Sequence, residues 1–172
     1  MNAQMSEVVF VDGAEHELMS LPLEPLLDTM DPRPELGEWA DVWTTALRRG
    51  YVGHWEIAAS RLYLKRLGTC QPEVDHDLER LFPGRAPPVF ASWYSGKLIV
   101  PQGERLLYVH MGWGSWYQRE IIFHVRHGHI CKRRDVDHTL SRHGTSLAAP
   151  PVRRRGHCGS RAWHSEPGMA DG

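Results

Sequence analysis

From Tyr51 onward the apolar residues recur at every second position. Tyr51, Gly53, Trp55 and Ile57 fall on one face of an extended chain, while Val52, His54 and Glu56 fall on the other. After Ala58-Ala59-Ser60, Leu62 and Leu64 alternate with Arg61, Tyr63 and Lys65. A period of two buries one face of a sheet and wets the other, which is the pattern of an antiparallel hairpin. The same logic predicts an earlier hairpin, residues 7–11 and 14–18 about Asp12-Gly13, because Asp-Gly supplies the positive-φ pair of a tight turn. Further strands are expected over 89–95, 97–100 and 104–111, with Pro101-Gln102-Gly103 as a turn. Gly112-Trp113-Gly114-Ser115 then reads as a loop or bulge. A last strand over 116–126 places Tyr117, Ile121, Phe123 and Val125 on one face, with Arg119 the odd member, and His127-Gly128 as its terminal turn.

Two helices are expected between these strands. Leu36, Trp39, Trp43 and Leu47 are spaced i, i+3, i+7 and i+11, which predicts a helix over 34–49 that begins at Pro34 and stops at Gly50. Val74, Leu78 and Leu81 line one side of a shorter helix over 72–81, ended by Pro83-Gly84. Residues 21–27 read as an apolar connector interrupted by Pro22 and Pro25. Strands in adjacent runs without βαβ alternation indicate an α+β fold. It is a mainly antiparallel, twisted sheet or partial barrel with two short helices.

The pattern ends near Ile130. Residues 1–130 carry 12 Lys and Arg against 17 Asp and Glu, a net of −5; residues 131–172 carry 8 against 4, a net of +4. The second stretch has one aromatic, Trp163, and holds Arg153-Arg154-Arg155 and Pro150-Pro151. It lacks the apolar surface to offset its ordering entropy, so a β-rich domain over 1–130 and a basic, disordered tail over 131–172 are expected. The Arg-, Gly-, Pro- and Ala-rich tail also fits GC-rich DNA read out of frame. An acidic ordered part disfavours nucleic acid as a partner except through the tail. With no basic n-region before an apolar stretch, and no apolar run of membrane-spanning length, a cytoplasmic protein without a membrane partner is expected. Cys70, Cys131 and Cys158 are an odd, widely spaced set, which implies no disulfide framework.

Several motifs stand out between Arg49 and Val125. They are Arg49-Gly50-Tyr51-Val52-Gly53-His54-Trp55-Glu56-Ile57, Leu62-Tyr63-Leu64, Leu81-Phe82-Pro83-Gly84, Val89-Phe90-Ala91-Ser92-Trp93-Tyr94-Ser95-Gly96-Lys97-Leu98, Pro101-Gln102-Gly103 and Tyr108-Val109-His110-Met111-Gly112. Over about half of the chain they resemble a group of short bacterial open reading frames built on the same series. That group carries no assigned activity, so the resemblance implies a bacterial, cytoplasmic, single-domain protein and transfers no site residues.

Three constellations can carry chemistry. The first is aromatic: Trp93, Tyr94, Tyr108, Trp113, Trp116 and Tyr117 provide stacking surface for a ligand or partner, with Trp113 exposed between two glycines. The same residues are also needed as core, since Ile and Phe are few. The second is His54, Glu56 and His110, on polar strand faces, with Glu120 and His124 able to join them; converged, they form a general acid–base pair for a hydrolase or isomerase-type enzyme. Cross-strand polar pairs on a wet face are the plainer reading. The third is His127, His129 and Cys131, which project from one face and hold a divalent metal if the strand continues past Gly128. His138, His143, His157, Cys158 and His164 add donors, but at no spacing typical of a zinc site. There is no Gly-rich phosphate loop and no G-x-S-x-G elbow, and no cofactor is expected. The leading expectation is a non-catalytic binding or accessory module with an aromatic, Gly-rich surface around Trp93 and Trp113.

Overall fold

The computed structural model describes residues 4–39, 44–71, 73–107 and 116–139. Nine strands form one sheet: β1 Glu7–Val11, β2 Ala14–Leu18, β3 Val52–Ala58, β4 Arg61–Gly68, β5 Asp75–His76, β6 Val89–Phe90, β7 Gly96–Leu107, β8 Trp116–Arg126 and β9 His129–Asp137. The order is β2-β1-β3-β4-β9-β8-β7, with β5 and β6 pairing separately onto β4. All pairings are antiparallel except β1 with β3. The sheet is open but curled. Met19 N–H donates to Ile99 C=O at 2.8 Å just beyond β2, and Ser20 Oγ donates to Lys97 C=O at 2.9 Å, so the two ends of the order approach each other. The concave side holds one core, which includes Val9, Val11, Leu18, Trp55, Leu62, Leu64, Leu98, Val100, Phe123 and Val125.

Three hairpins turn on pairs of positive-φ residues: Asp12-Gly13, Ala59-Ser60 and His127-Gly128. Positive φ at both turn positions matches the right-handed twist of the flanking strands. Two of these pairs contain the Gly that makes such geometry cheap. Ala59 (φ 47°) and Ser60 (φ 58°) hold it with Cβ atoms on both residues. Replacing Ala59-Ser60 by Asn-Gly is therefore expected to raise stability by about 1 kcal/mol. Thermal unfolding of the double variant checks this, and an unchanged or lower Tm counts against it.

Helix is much scarcer than the spacing predicts. The expected helix over 34–49 is a single turn, α2 Leu36–Trp39, within the described residues, and it is preceded by another, α1 Glu24–Leu27. Trp43 lies outside the described residues, and Leu47 N–H bonds Thr44 C=O in a turn. The expected helix over 72–81 is replaced by β5 and a 3-10 turn, Leu78–Arg80. Pairing of Asp75-His76 with Leu67-Gly68 of β4 wins over local helical spacing. The Asp77 carboxylate then caps the 3-10 turn, accepting Glu79 N–H at 2.9 Å.

Two further expectations are corrected. Pro101-Gln102-Gly103 is not a turn: β7 runs through it, with the register shifting between Gln102 and Arg105 and Gly103 at φ 75°. Pro101 is tolerated because β7 ends the strand order, and Gly103 supplies the bulge. The ordered domain also does not stop at Ile130. β9 pairs with β8 from Arg126↔His129 to Arg119↔Asp137, so Lys132, Arg133 and Arg134 belong to the sheet. The rest of the expected tail, residues 140–172, lies outside the described residues, as does the loop at 112–115.

Candidate functional site

Three chain segments that are distant in sequence meet on one surface. Leu26 and Met30 come from α1 and the turn after it, Leu81, Phe82, Pro83 and Arg85 follow the 3-10 turn, and Ser92 and Trp93 follow β6. They line a groove of about 440 Å³, within the size range of small-molecule sites. Its firmest element is a ring pair. Trp93 lies over Phe82 with centroids 5.2 Å apart and planes at 24°, an offset-stacked geometry worth about 1 kcal/mol beyond area. Trp93 Nε1–H donates to Pro22 C=O at 2.9 Å, so the indole is held by a hydrogen bond as well as by the ring contact. Phe82 is fixed from below by its N–H bond to Leu78 C=O at 2.8 Å. The lining contains one charged side chain, Arg85, and no carboxylate.

The other aromatic candidates divide. Tyr94 is core rather than surface: it is buried, and its hydroxyl donates to Lys97 C=O at 2.9 Å. Burial, aided by the nearby Glu7 carboxylate, pushes its pKa up to about 12. Tyr117 is half-buried and its hydroxyl points at Glu17 Oε2, 3.4 Å away. Tyr108 and Trp113 lie outside the described residues, as does the side chain of Trp116.

The acid–base set does not assemble among the described residues. His54 and Glu56 share the polar face of β3, but each is engaged elsewhere. His54 Nε2 sits 3.2 Å from Arg66 Nη2, and Glu56 Oε1 sits 3.6 Å from Lys65 Nζ. Partial burial, then the Arg66 charge, lower the His54 pKa. Neither residue lines the groove, and His110 lies outside the described residues. Glu120 is two strands beyond β4, on β8, where His138 Nε2 approaches it at 3.5 Å beside a smaller depression of about 300 Å³. His124 pairs across the ladder with Lys97 and Lys132.

The condition for the metal set is not met. His127 has φ 47° in the β8–β9 turn, so the ladder reverses there and the period of two is broken. His129 packs edge-on against Phe90, with centroids 5.2 Å apart, and Cys131 is exposed with Sγ 3.5 Å from His129 C=O. Cys131 is also the extra residue of a bulge, because Val125 pairs with Ile130 and His124 with Lys132. No group of three His, Cys, Asp or Glu suited to a metal occurs among the described residues. His143, His157, Cys158 and His164 fall outside them.

One cluster escaped the sequence reading. Glu7 is fully buried, with Trp55 Nε1–H donating to its Oε2 at 2.5 Å and Arg49 Nε 3.6 Å from its Oε1. That second oxygen has no hydrogen-bond partner among the described residues. Burial raises the Glu7 pKa from 4.5 to about 7, against the opposing pull of Arg49 and Trp55. The Arg49 guanidinium lies 5.3 Å from the Tyr51 ring centre, and Tyr51 donates its hydroxyl to Glu24 Oε1 at 2.8 Å. Burial foremost, then Glu7 and Glu24, raise the Tyr51 pKa. The chain carried a signal for this: alternation along β1 puts Glu7 on the inward face with Val9 and Val11. None of the cluster's residues lines the groove.

Comparisons with known protein families, with curated proteins and with solved structures found no match to this chain. No helix among the described residues is long and apolar enough to cross a membrane.

Proposed function

We propose that the protein is a small bacterial cytoplasmic binding or accessory module, without catalytic chemistry of its own, that takes its ligand in the groove over Trp93 and Phe82. The observation that supports this is the held ring pair, an aromatic floor at a mouth where the polar groups are few. A rigid floor loses little entropy when a ligand settles on it. The histidines and carboxylates of the polar strand faces are tied to neighbouring strands, which favours binding over acid–base work at this site.

A neutral fluorescent probe tests the reading directly. 1-Aminoanthracene is expected to bind the full-length protein saturably, with one site and a blue-shifted emission. Ser92→Trp, an exposed position at the rim, is expected to fill the groove and remove that binding while leaving Tm unchanged. Absence of saturable binding, or equal binding by a folded Ser92→Trp variant, overturns the proposal.

A further inference from the structure

The groove's chemistry also specifies what belongs in it. Resting on the binding reading above, we propose that the ligand is a monocarboxylate with a flat apolar body, the body lying on Trp93 and the carboxylate held by Arg85 at the mouth.

Four observations converge on this class. The lining is apolar apart from Arg85 and Ser92, so the bulk of a ligand meets Leu26, Met30 and the two rings. The polar atom of Trp93 is already bonded to Pro22 C=O, which leaves the indole to offer only its hydrocarbon surface. The acidic groups of the adjoining loop are turned onto its own backbone: Asp77 Oδ1 accepts Glu79 N–H at 2.9 Å, and Glu79 Oε1 accepts Gly84 N–H at 2.7 Å. Arg85 thus stands as the one charge of the lining, exposed, and among the described residues only its main-chain N–H is bonded, to Phe82 C=O at 3.0 Å. A guanidinium presents a planar fork that matches one carboxylate in a bidentate pair.

Other ligand classes fit less well. A sugar needs hydrogen-bonding groups around its ring, and the lining offers Ser92 and Arg85 alone. A nucleotide brings several phosphate charges against one cation. A neutral hydrocarbon leaves Arg85 without a role. The shape and the single charge together select an amphipathic monoanion, and Ser92 adds a hydroxyl to the same lining.

The test uses 2-naphthoate and its neutral counterpart 2-naphthalenemethanol, each displacing 1-aminoanthracene from the full-length protein. 2-Naphthoate is expected to bind about threefold to fivefold more tightly than the alcohol, as a bidentate pair at an exposed guanidinium warrants. Arg85→Gln is expected to erase that difference between acid and alcohol; Arg85→Lys is expected to keep part of it. Equal affinity for acid and alcohol, or an advantage that survives Arg85→Gln, overturns the carboxylate assignment even though the groove still binds the neutral probe. If 1-aminoanthracene itself fails to bind, the binding reading falls, and the ligand class with it.

Discussion

Glu7→Gln is expected to remove most of the pH dependence of stability between pH 4.5 and pH 8. The Glu7 carboxyl has its pKa raised from 4.5 to about 7 in the folded chain, first by burial. Below pH 4.5 it is protonated in both folded and unfolded chains, and nothing is lost. Between 4.5 and about 7 the unfolded chain releases the proton while the folded one keeps it, so stability falls as pH rises. Above about 7 the full loss is present, about 3 kcal/mol. The groups that face Glu7 set the size of this effect. Arg49 and the Trp55 indole favour the anion, a backbone hydrogen bond from Gly53 does likewise, and Glu24 opposes it. Glutamine retains an acceptor for Trp55 Nε1–H and cannot ionise. The measurement is the slope of unfolding free energy against pH, by urea titration, which is insensitive to any constant offset from the amide. A wild-type slope that persists in Glu7→Gln places the titrating group elsewhere.

Gly50→Ala is expected to lose about 3 kcal/mol or more, from backbone overlap added to a left-handed φ. Gly50 has φ 77°, and a Cβ there would lie 2.1 Å from Gly37 N, 2.4 Å from Gly37 Cα and 2.8 Å from Leu36 C. All three are backbone atoms of α2, so no rotamer change relieves the contact. The alternative is to separate Gly50 from α2, which exposes Leu36 and disturbs the bond between His76 Nε2 and Gly50 C=O at 2.8 Å. Gly84→Ala is the matched control. Gly84 has φ 72° but nothing within 4 Å of the position of its Cβ. Only the left-handed backbone is strained there, about 1 kcal/mol. Chemical denaturation of both variants separates the terms, and equal losses would mean that the close approach at Gly37 contributes nothing.

What could be read along the chain was whatever one strand or one turn decides alone. Both early hairpins are legible because their apolar residues alternate and because Asp12-Gly13 or the break at Ala59-Ser60 marks the reversal. β8 is legible through Phe123 and Val125, both buried. β9 was not, because sequence period reports burial and β9 has almost none: seven of its nine residues are exposed. Its order comes from main-chain pairing with β8, which leaves no trace in side-chain type. The helix over 34–49 failed for the opposite reason. Its apolar spacing is real, but among the described residues only Leu36–Trp39 is helical, and Gly50 passes against Gly37, a tertiary contact that local spacing does not report. The groove is legible only in part. Trp93 stands out as an aromatic, but Leu26 reads as connector, Phe82 only as part of the Leu81-Phe82-Pro83-Gly84 motif and Met30 belongs to no pattern, since nothing local announces that segments so far apart will share a surface.

The Arg133–Asp12 ion pair, 2.5 Å long, joins the tip of the first hairpin to the last strand across 121 residues. Together with the Met19–Ile99 link, it means that the first strands cannot complete their surroundings until nearly all the ordered chain exists. The β1–β2, β3–β4 and β8–β9 hairpins can close on contacts a few residues apart, but the parallel β1–β3 pairing and the final clasp must wait for long loops to be drawn in. Loop-closure entropy opposes those steps before any contact compensates for them. A chain emerging from a ribosome therefore carries β1, with Phe10 on its outer face, as an unsatisfied edge until β3 has been made. Folding of this sheet is timed by its last strand.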